Sequence, residues 1–324
     1  MNTRNTTPLA IKTENEYDQS VNQSNYLGQS LLSGCPVPTT TLPIKGIPVT
    51  SISRDTTTSL TRPTTTPVHD LRGKTVVITG GNGGIGLGLA QGVARAGARV
   101  AIWGRNAGKN EAALAELKNT DPEAVAFTVD IANEQAVESA FAESVQALGH
   151  VDAFFANAGI PGESSSFVDM TFNQWRDVLS VNLDGTFLCL REAARHMVAR
   201  GTGSLIPVAS IMNFYGGERK EHYAASKAGI EALSRGLAVE LAKHGVRVNS
   251  LVPGWTDTEL VSPGAGFIDT ANYDKVREYT RRRTPIQRWG TSKDMADVAA
   301  FLADPSLVFH TGDTLVVDGA YTRF

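Results

Sequence analysis

The sequence predicts an α/β fold: one doubly wound parallel sheet of about seven strands with helices on both faces. Three observations predict it. A β-branched run at residues 74–79 passes through the turn Gly80-Gly81-Asn82-Gly83-Gly84-Ile85-Gly86 into a helix-forming stretch at 87–96. Short apolar runs then alternate with longer helical patterns, the order that crossover-connected parallel strands require. The apolar runs lack strict in–out alternation, as expected of strands covered on both faces.

Composition sets the outer limits. The chain has 324 residues, 41% of them hydrophobic, and 31 glycines, so it can bury a full core. Net charge is -3 and basic residues do not cluster, which argues against a nucleic-acid partner. Cys35 and Cys189 lie far apart without metal-site spacing, so neither a disulfide framework nor a metal site is expected, and a reducing compartment fits. No stretch approaches the ~20 apolar residues of a membrane span. The N-terminus lacks the basic-then-apolar order of a secretory signal, and Glu14, Glu16 and Asp18 argue against a mitochondrial presequence. Thr322-Arg323-Phe324 is not a peroxisomal tripeptide. The expected location is the cytoplasm.

Residues 1–70 stand apart from the rest. They are dense in Thr, Ser, Asn and Pro, with the triplets at 39–41, 56–58 and 64–66. Their apolar residues follow neither helical nor strand periodicity, so the expectation is a flexible tail that cannot offset its ordering entropy. A linker, an oligomer arm and an address are all open readings, and a small group at 43–49 is a candidate docking strand. A single domain is expected over 71–324.

Within that domain the elements follow in order. The glycine turn between strand and helix is a phosphate cradle: glycines let the backbone approach a pyrophosphate, and the helix N-terminus offers free N–H groups. Gly80, Asn82, Gly84, Ile85 and Gly86 are therefore cofactor candidates, and the fold is of the dinucleotide-binding (Rossmann) type. The second strand, at 99–103, ends in Gly104-Arg105-Asn106. An NAD site usually places a carboxylate near this strand end, whereas Arg105 is a natural partner for a 2′-phosphate, so NADP is favoured over NAD. Helix 109–119, strand 124–129 and helix 134–148 follow, with Asp130 and Ile131 closing the third strand at the expected adenine edge. The fourth strand, 151–156, ends in Asn157-Ala158-Gly159, small enough to lie against a cofactor ribose. A long helical stretch runs from Trp175 through Asn182 to Met197. A fifth strand at 204–209 delivers Ser210, and further strands are expected at 246–251 and 314–317.

Tyr223 and Lys227 stand four residues apart at the start of a helical pattern, about one turn, so a phenol and an ammonium share one face. A nearby cation favours the phenolate, which makes the pair an acid/base device. Alone, the pair reads equally well as an ordinary helix start.

Thr79-Gly80-x-x-x-Gly84-Ile85-Gly86, Asn157-Ala158-Gly159, Asn182, Ser210, Tyr223-x-x-x-Lys227 and Pro253-Gly254 occur here in the order found in the short-chain dehydrogenase/reductase family, which the chain resembles from 71 to 324. Two departures are minor: Ala156 stands where many members have a second Asn, and Asp318-Gly319-Ala320 where Asp-Gly-Gly is common. The resemblance implies an NAD(P)-dependent oxidoreductase. Tyr223 would exchange the proton on the substrate oxygen, Lys227 would hold the nicotinamide ribose and lower the Tyr223 pKa, and Ser210 would stabilise charge on that oxygen. Asn182 would anchor a water leading from Lys227 to solvent. Pro253, Gly254, Thr256 and Thr258 would lie along the nicotinamide. It also implies a homotetramer built from the helices over 175–197 and 224–242 and the last strand.

The substrate is less legible. Residues 255–283 should form a lid. The phrasing at 214–219, 283–290 and 317–321 looks like sugar-acid members of the family, in kind gluconate 5-dehydrogenase and 2-dehydro-3-deoxy-D-gluconate 5-dehydrogenase. Arg219, Lys220 and His222 are candidates to meet a substrate carboxylate, offset by Glu218 and Glu221; Arg281, Arg282 and Arg283 are similar candidates. A 3-oxoacyl thioester reductase is the alternative, since carrier-protein reductases share the Pro285-Ile286-x-Arg288-x-Gly290 phrasing. A non-catalytic cofactor-binding scaffold is a remote third, disfavoured by intact Asn182, Ser210, Tyr223 and Lys227.

Overall fold

Residues 69–323 are described by the computed structural model, so the expected tail and the group at 43–49 lie outside the described residues, apart from His69 and Asp70. Strand β1 (Thr75–Thr79) is buried along its whole length in the middle of a parallel sheet. Val76 and Ile78 enter one apolar core and Val77 the opposite one. That division explains the unbroken β-branched run: with helices on both faces, its middle is apolar on both sides, and the terminal threonines are buried with their hydroxyls hydrogen-bonded.

On one flank lie β2 (Arg99–Gly104) and β3 (Val125–Thr128). On the other lie β4 (Ala153–Ala156), β5 (Gly203–Pro207) and β6 (Val246–Val248), giving a six-stranded order β3-β2-β1-β4-β5-β6. Helices α1 (Gly84–Arg95) and α2 (Ala107–Leu117), with α8 (Ser292–Ala303), cover one face. Helices α3 (Glu134–Leu148), α5 (Gly185–Arg200) and α6 (Glu221–Leu241) cover the other. Strand order reverses between β1 and β4, and at such a switch point a crevice opens beyond the carboxyl ends of the strands.

Two expected elements are divided. The run at 246–251 is not one strand: it breaks at Asn249 into β6 and β7 (Ser250–Pro253), and β7 pairs in parallel with β8 (Thr314–Val317) as a separate two-stranded ladder. Asn249 is fully buried, its side chain donating to the His310 carbonyl at 2.8 Å and accepting from the Asp313 amide at 3.0 Å. A side chain thus replaces ladder bonds at the break, and β7 rejoins the sheet through a bridge from Leu251 to Val208. The helical stretch 175–197 is also divided, into α4 (Phe172–Leu179), a π-helical turn at Ser180–Asp184, and α5. The segment after β7 carries short turns and then α7 (Tyr273–Arg283). No helix among the described residues is long and apolar enough to cross a membrane.

Candidate active site

The crevice begins at the glycine turn. A Cβ on Gly86 would stand 2.1 Å from the Gly80 carbonyl oxygen, so the turn can close only around a glycine there. Thr79 organises the adjoining strand ends: its Oγ1 accepts from the amides of Asn157 and Ala158, each at 3.0 Å, while Asn157 Nδ2 donates to the Thr79 carbonyl at 2.9 Å. Asn82 donates to Asn110 Oδ1 at 2.7 Å, and Asn110 in turn donates to the carbonyls of Gly104 and Phe127 at 3.0 and 3.1 Å. Any side chain at Gly104 would collide with this network, since its Cβ would lie 2.1 Å from Asn82 Nδ2. Gly104 therefore cannot carry the ribose-binding carboxylate of an NAD site.

From the turn, one continuous cleft reaches Ser210, Tyr223 and Lys227. Its walls include Gly80, Asn82, Gly84, Ile85, Gly86, Asn157 and Gly159, together with Pro253, Gly254, Thr256 and Thr258. Ser210 is delivered by β5 and its hydroxyl caps the next turn, accepting from the Met212 amide at 3.2 Å. Tyr223 and Lys227 rise from the first turns of α6 and both are buried. Lys227 Nζ donates to the Val208 carbonyl at 2.9 Å and lies 5.8 Å from the centre of the Tyr223 ring.

Burial dominates the electrostatics. It pushes the Tyr223 phenol up to about 12, with the Ser210 hydroxyl pulling weakly the other way. It brings the Lys227 ammonium down to about 8. Tyr223 is thus a neutral phenol at neutral pH, ready to donate. Positive charge close to the phenol favours the phenolate that the reverse reaction needs.

Asn182 sits in the π turn and does not line the cleft. Its side chain accepts from the Ile160 amide at 2.8 Å and donates to the Ile160 carbonyl at 3.0 Å and Ser226 Oγ at 3.2 Å. Ser226 donates onward to the Tyr223 carbonyl at 2.7 Å. None of these side-chain bonds goes to Lys227, although Asn182 Oδ1 and Lys227 Nζ both face Gly159.

Four expected cofactor residues also lie off the cleft wall. Arg105 is exposed and is not among the residues that line it. Asn106 caps α2, its Oδ1 accepting from the Lys109 amide at 3.0 Å. Asp130 is exposed and turns back on Ala132, and Ile131 is buried in the core beneath Gly185. Lys109, which sequence reasoning missed, does line the cleft and pairs with Glu259 across its mouth. Nothing in its spacing marks it, because the pairing joins residues 150 positions apart.

The residues expected to meet a substrate carboxylate are mostly spent. Lys220 and His222 bond backbone carbonyls, Arg219 pairs with Glu218 at 3.6 Å, Arg281 and Arg282 pair with Glu278, and Arg283 lies over the Tyr321 ring. Met212, Tyr215, Trp255 and Phe267 instead surround the space in front of Tyr223.

A family model described as enoyl-(acyl carrier protein) reductase matches residues 80–322. An L-rhamnose 1-dehydrogenase (NAD(P)(+)) of Sphingomonas sp. (strain SKA58) is 38% identical over 77% of this chain and 96% of its own length. The 3-oxoacyl-[acyl-carrier-protein] reductase of Chlamydia pneumoniae is 34% identical over 78% of this chain and 98% of its own. The crystal structure of a gluconate 5-dehydrogenase from Burkholderia cenocepacia J2315, in complex with NADP and tartrate, superposes with a TM-score of 0.70 at 32% identity, covering 80% of this chain and 99% of that one. The chain belongs to the short-chain dehydrogenase/reductase family and is an NAD(P)-dependent oxidoreductase.

Proposed function

We propose that the protein interconverts a secondary alcohol and a ketone on a sugar acid, polyol or related small molecule, with NADP preferred over NAD. The carrying observation is the convergence of Ser210, Tyr223 and Lys227 at one end of the cleft whose other end is the glycine turn. The dinucleotide supplies the hydride when bound. Gly80 to Gly86 would take its phosphates, Lys227 its nicotinamide ribose, and Pro253, Gly254, Thr256 and Thr258 its nicotinamide side. In reduction, Tyr223 gives its phenolic proton to the alkoxide oxygen formed as hydride reaches the carbonyl carbon, and Ser210 donates a hydrogen bond to that oxygen. In oxidation both transfers reverse, and Tyr223 takes the hydroxyl proton. Asn182 serves as a positioning residue, tying the post-β4 loop to the catalytic helix.

Several features support the finer readings. For NADP these are an exposed Arg105 directly after β2, no room for a carboxylate at Gly104, and the NADP-bound relative. For the substrate class they are the sugar and sugar-acid relatives and the aromatic walls Tyr215, Trp255 and Phe267. A 3-oxoacyl thioester is the second reading, favoured by the carrier-protein reductase relative. A panel of keto-sugar acids, polyols and oxoacyl thioesters with both cofactors separates them: the higher kcat/KM on a thioester would overturn our reading.

The same proposal extends to a homotetramer that buries α5 and α6, supported by exposed Phe187 and Val239 on those helices. A monomer in light-scattering chromatography would refute it. A cytoplasmic location is part of the same proposal.

A further inference from the structure

Lys220 is a buried cation that the mechanism above does not use, only 4% exposed. Burial lowers its pKa to about 8, so charge is held there at a cost. Its Nζ is directed at two backbone carbonyls, Gly266 at 2.6 Å and Gly162 at 3.2 Å. Gly162 belongs to the loop after β4, and Gly266 to the lid segment after β7. These two segments are far apart in sequence, and their backbones meet closely here: a Cβ on Gly266 would stand 3.3 Å from the Gly162 oxygen. Lys220 itself immediately precedes α6, three residues before Tyr223. One ammonium therefore joins three segments at the rim of the substrate space.

What the joint holds in place is Phe267. Its ring lies 5.5 Å from Lys220 Nζ and meets the Tyr223 ring edge-to-face at 5.2 Å and 85°. The same ring meets Trp255 at 5.9 Å and 83°. Edge-to-face packing and a cation on a ring face are both orientation-dependent contacts. Phe267 thus touches the Lys220 joint on one side and the Tyr223 and Trp255 rings on the others. His222 ties the same post-β4 loop, its Nε2 3.1 Å from the Glu163 carbonyl. It makes no hydrogen bond to the lid among the described residues, so of the two Lys220 is the one that spans both segments.

We propose that Lys220 is a positioning residue that latches the lid segment 262–270 to the post-β4 loop and so seats Phe267 against Tyr223, shaping the substrate end of the cleft. The proposal rests on Tyr223 being the proton-handling group, but the latch can be measured without substrate. Lys220→Met keeps the apolar stem and removes the ammonium. Amide hydrogen exchange of the full chain is expected to quicken at 262–270 and 160–166 while the β1–β5 strands and the middle of α6 stay protected. NADPH affinity, read by fluorescence titration, is expected to hold, and KM for the carbonyl substrate to rise about tenfold. Lys220→Arg, which retains a donor cation, is expected to restore protection in both segments. Phe267→Leu, with the latch intact, is expected to give the KM effect without the exchange effect. Unchanged exchange in both segments of Lys220→Met would overturn the latch, as would equal loosening of the whole sheet. If Lys220→Met does not fold, an unchanged KM in Phe267→Leu would still overturn it. Loss of turnover in Lys220→Met with tight segments would count against the latch and not against the role of Tyr223.

Discussion

At the scale of the residue, the proton-handling group is defined by where burial puts its pKa. The Tyr223 phenol, raised to about 12, stays protonated across the working range, so carbonyl reduction has its acid in place. Tyr223→Phe should lower kcat about 10²- to 10⁴-fold in a coupled NADPH assay. Cofactor affinity should persist, because the phenol does not build the glycine turn. Lys227 titrates oppositely: burial has lowered it to about 8, so the ammonium is present below that pH and lost above it. Dinucleotide affinity measured between pH 7 and 9.5 should therefore weaken as pH rises through about 8; affinity flat over that range would remove Lys227 from cofactor binding. Arg105 is free of ion pairs among the described residues, so Arg105→Ala should weaken NADP about ten- to a hundredfold and leave NAD nearly unchanged. Tyr223, Lys227, Ser210 and the glycines were legible in the sequence because their roles need a residue type at a fixed local spacing. Lys109 and Asn110 were not, and Lys220 was singled out only as a candidate for a substrate carboxylate, because their partners are set by the fold and not by spacing.

At the scale of the element, the strand ends carry the site. Thr79 Oγ1 satisfies two amides at the end of β4, which are left without that acceptor in Thr79→Val. Leaving buried donors unpaired costs about 1–3 kcal/mol each. Urea unfolding of that variant should show the loss, accompanied by weaker dinucleotide binding. The start of α6 has its own pH sensitivity. His222 Nδ1 accepts from the Tyr223 amide at 2.8 Å, which leaves Nε2–H to face the Glu163 carbonyl. Burial lowers its pKa below the ordinary 6.5, so the unfolded chain binds the proton more readily than the folded one. Stability from this neutral imidazole is full above pH 6.5 and falls as pH drops toward the depressed folded value. Thermal melts from pH 7.5 to 5 should show a decline that His222→Gln reduces. The helix and strand types were readable from periodicity, but the break at Asn249 and the π turn at Ser180–Asp184 were not. Both depend on side chains bonding backbone elsewhere: Asn249 to 310–313, Asn182 to Ile160.

At the scale of the whole molecule, every residue lining the cleft falls between Gly80 and Phe267. The described fold begins at His69, whose ring packs on Phe301 at 5.5 Å and whose Nδ1 lies 3.3 Å from Asp304. A chain that starts a few residues before His69 should therefore keep its fold and its turnover, and an inactive truncation would show that the N-terminal segment contributes to the site. The cleft itself opens where the strand order reverses between β1 and β4, and the segment after β7 supplies part of its wall, from Trp255 to Phe267.

By itself, the sequence determined the alternating α/β architecture, the phosphate-binding turn and the Tyr223/Lys227 pair. These rest on local chemistry: periodicity of burial, glycines where backbones must approach, and side chains one helical turn apart. Only the tertiary structure decided which charged residues remain available. It spent Lys220 and His222 on backbone carbonyls, paired Arg219, Arg281 and Arg282 with carboxylates, and walled the substrate space with Tyr215, Trp255 and Phe267. Availability is a property of three-dimensional neighbours, since a cation near Tyr223 in sequence reaches a substrate only if no nearer acceptor claims it first.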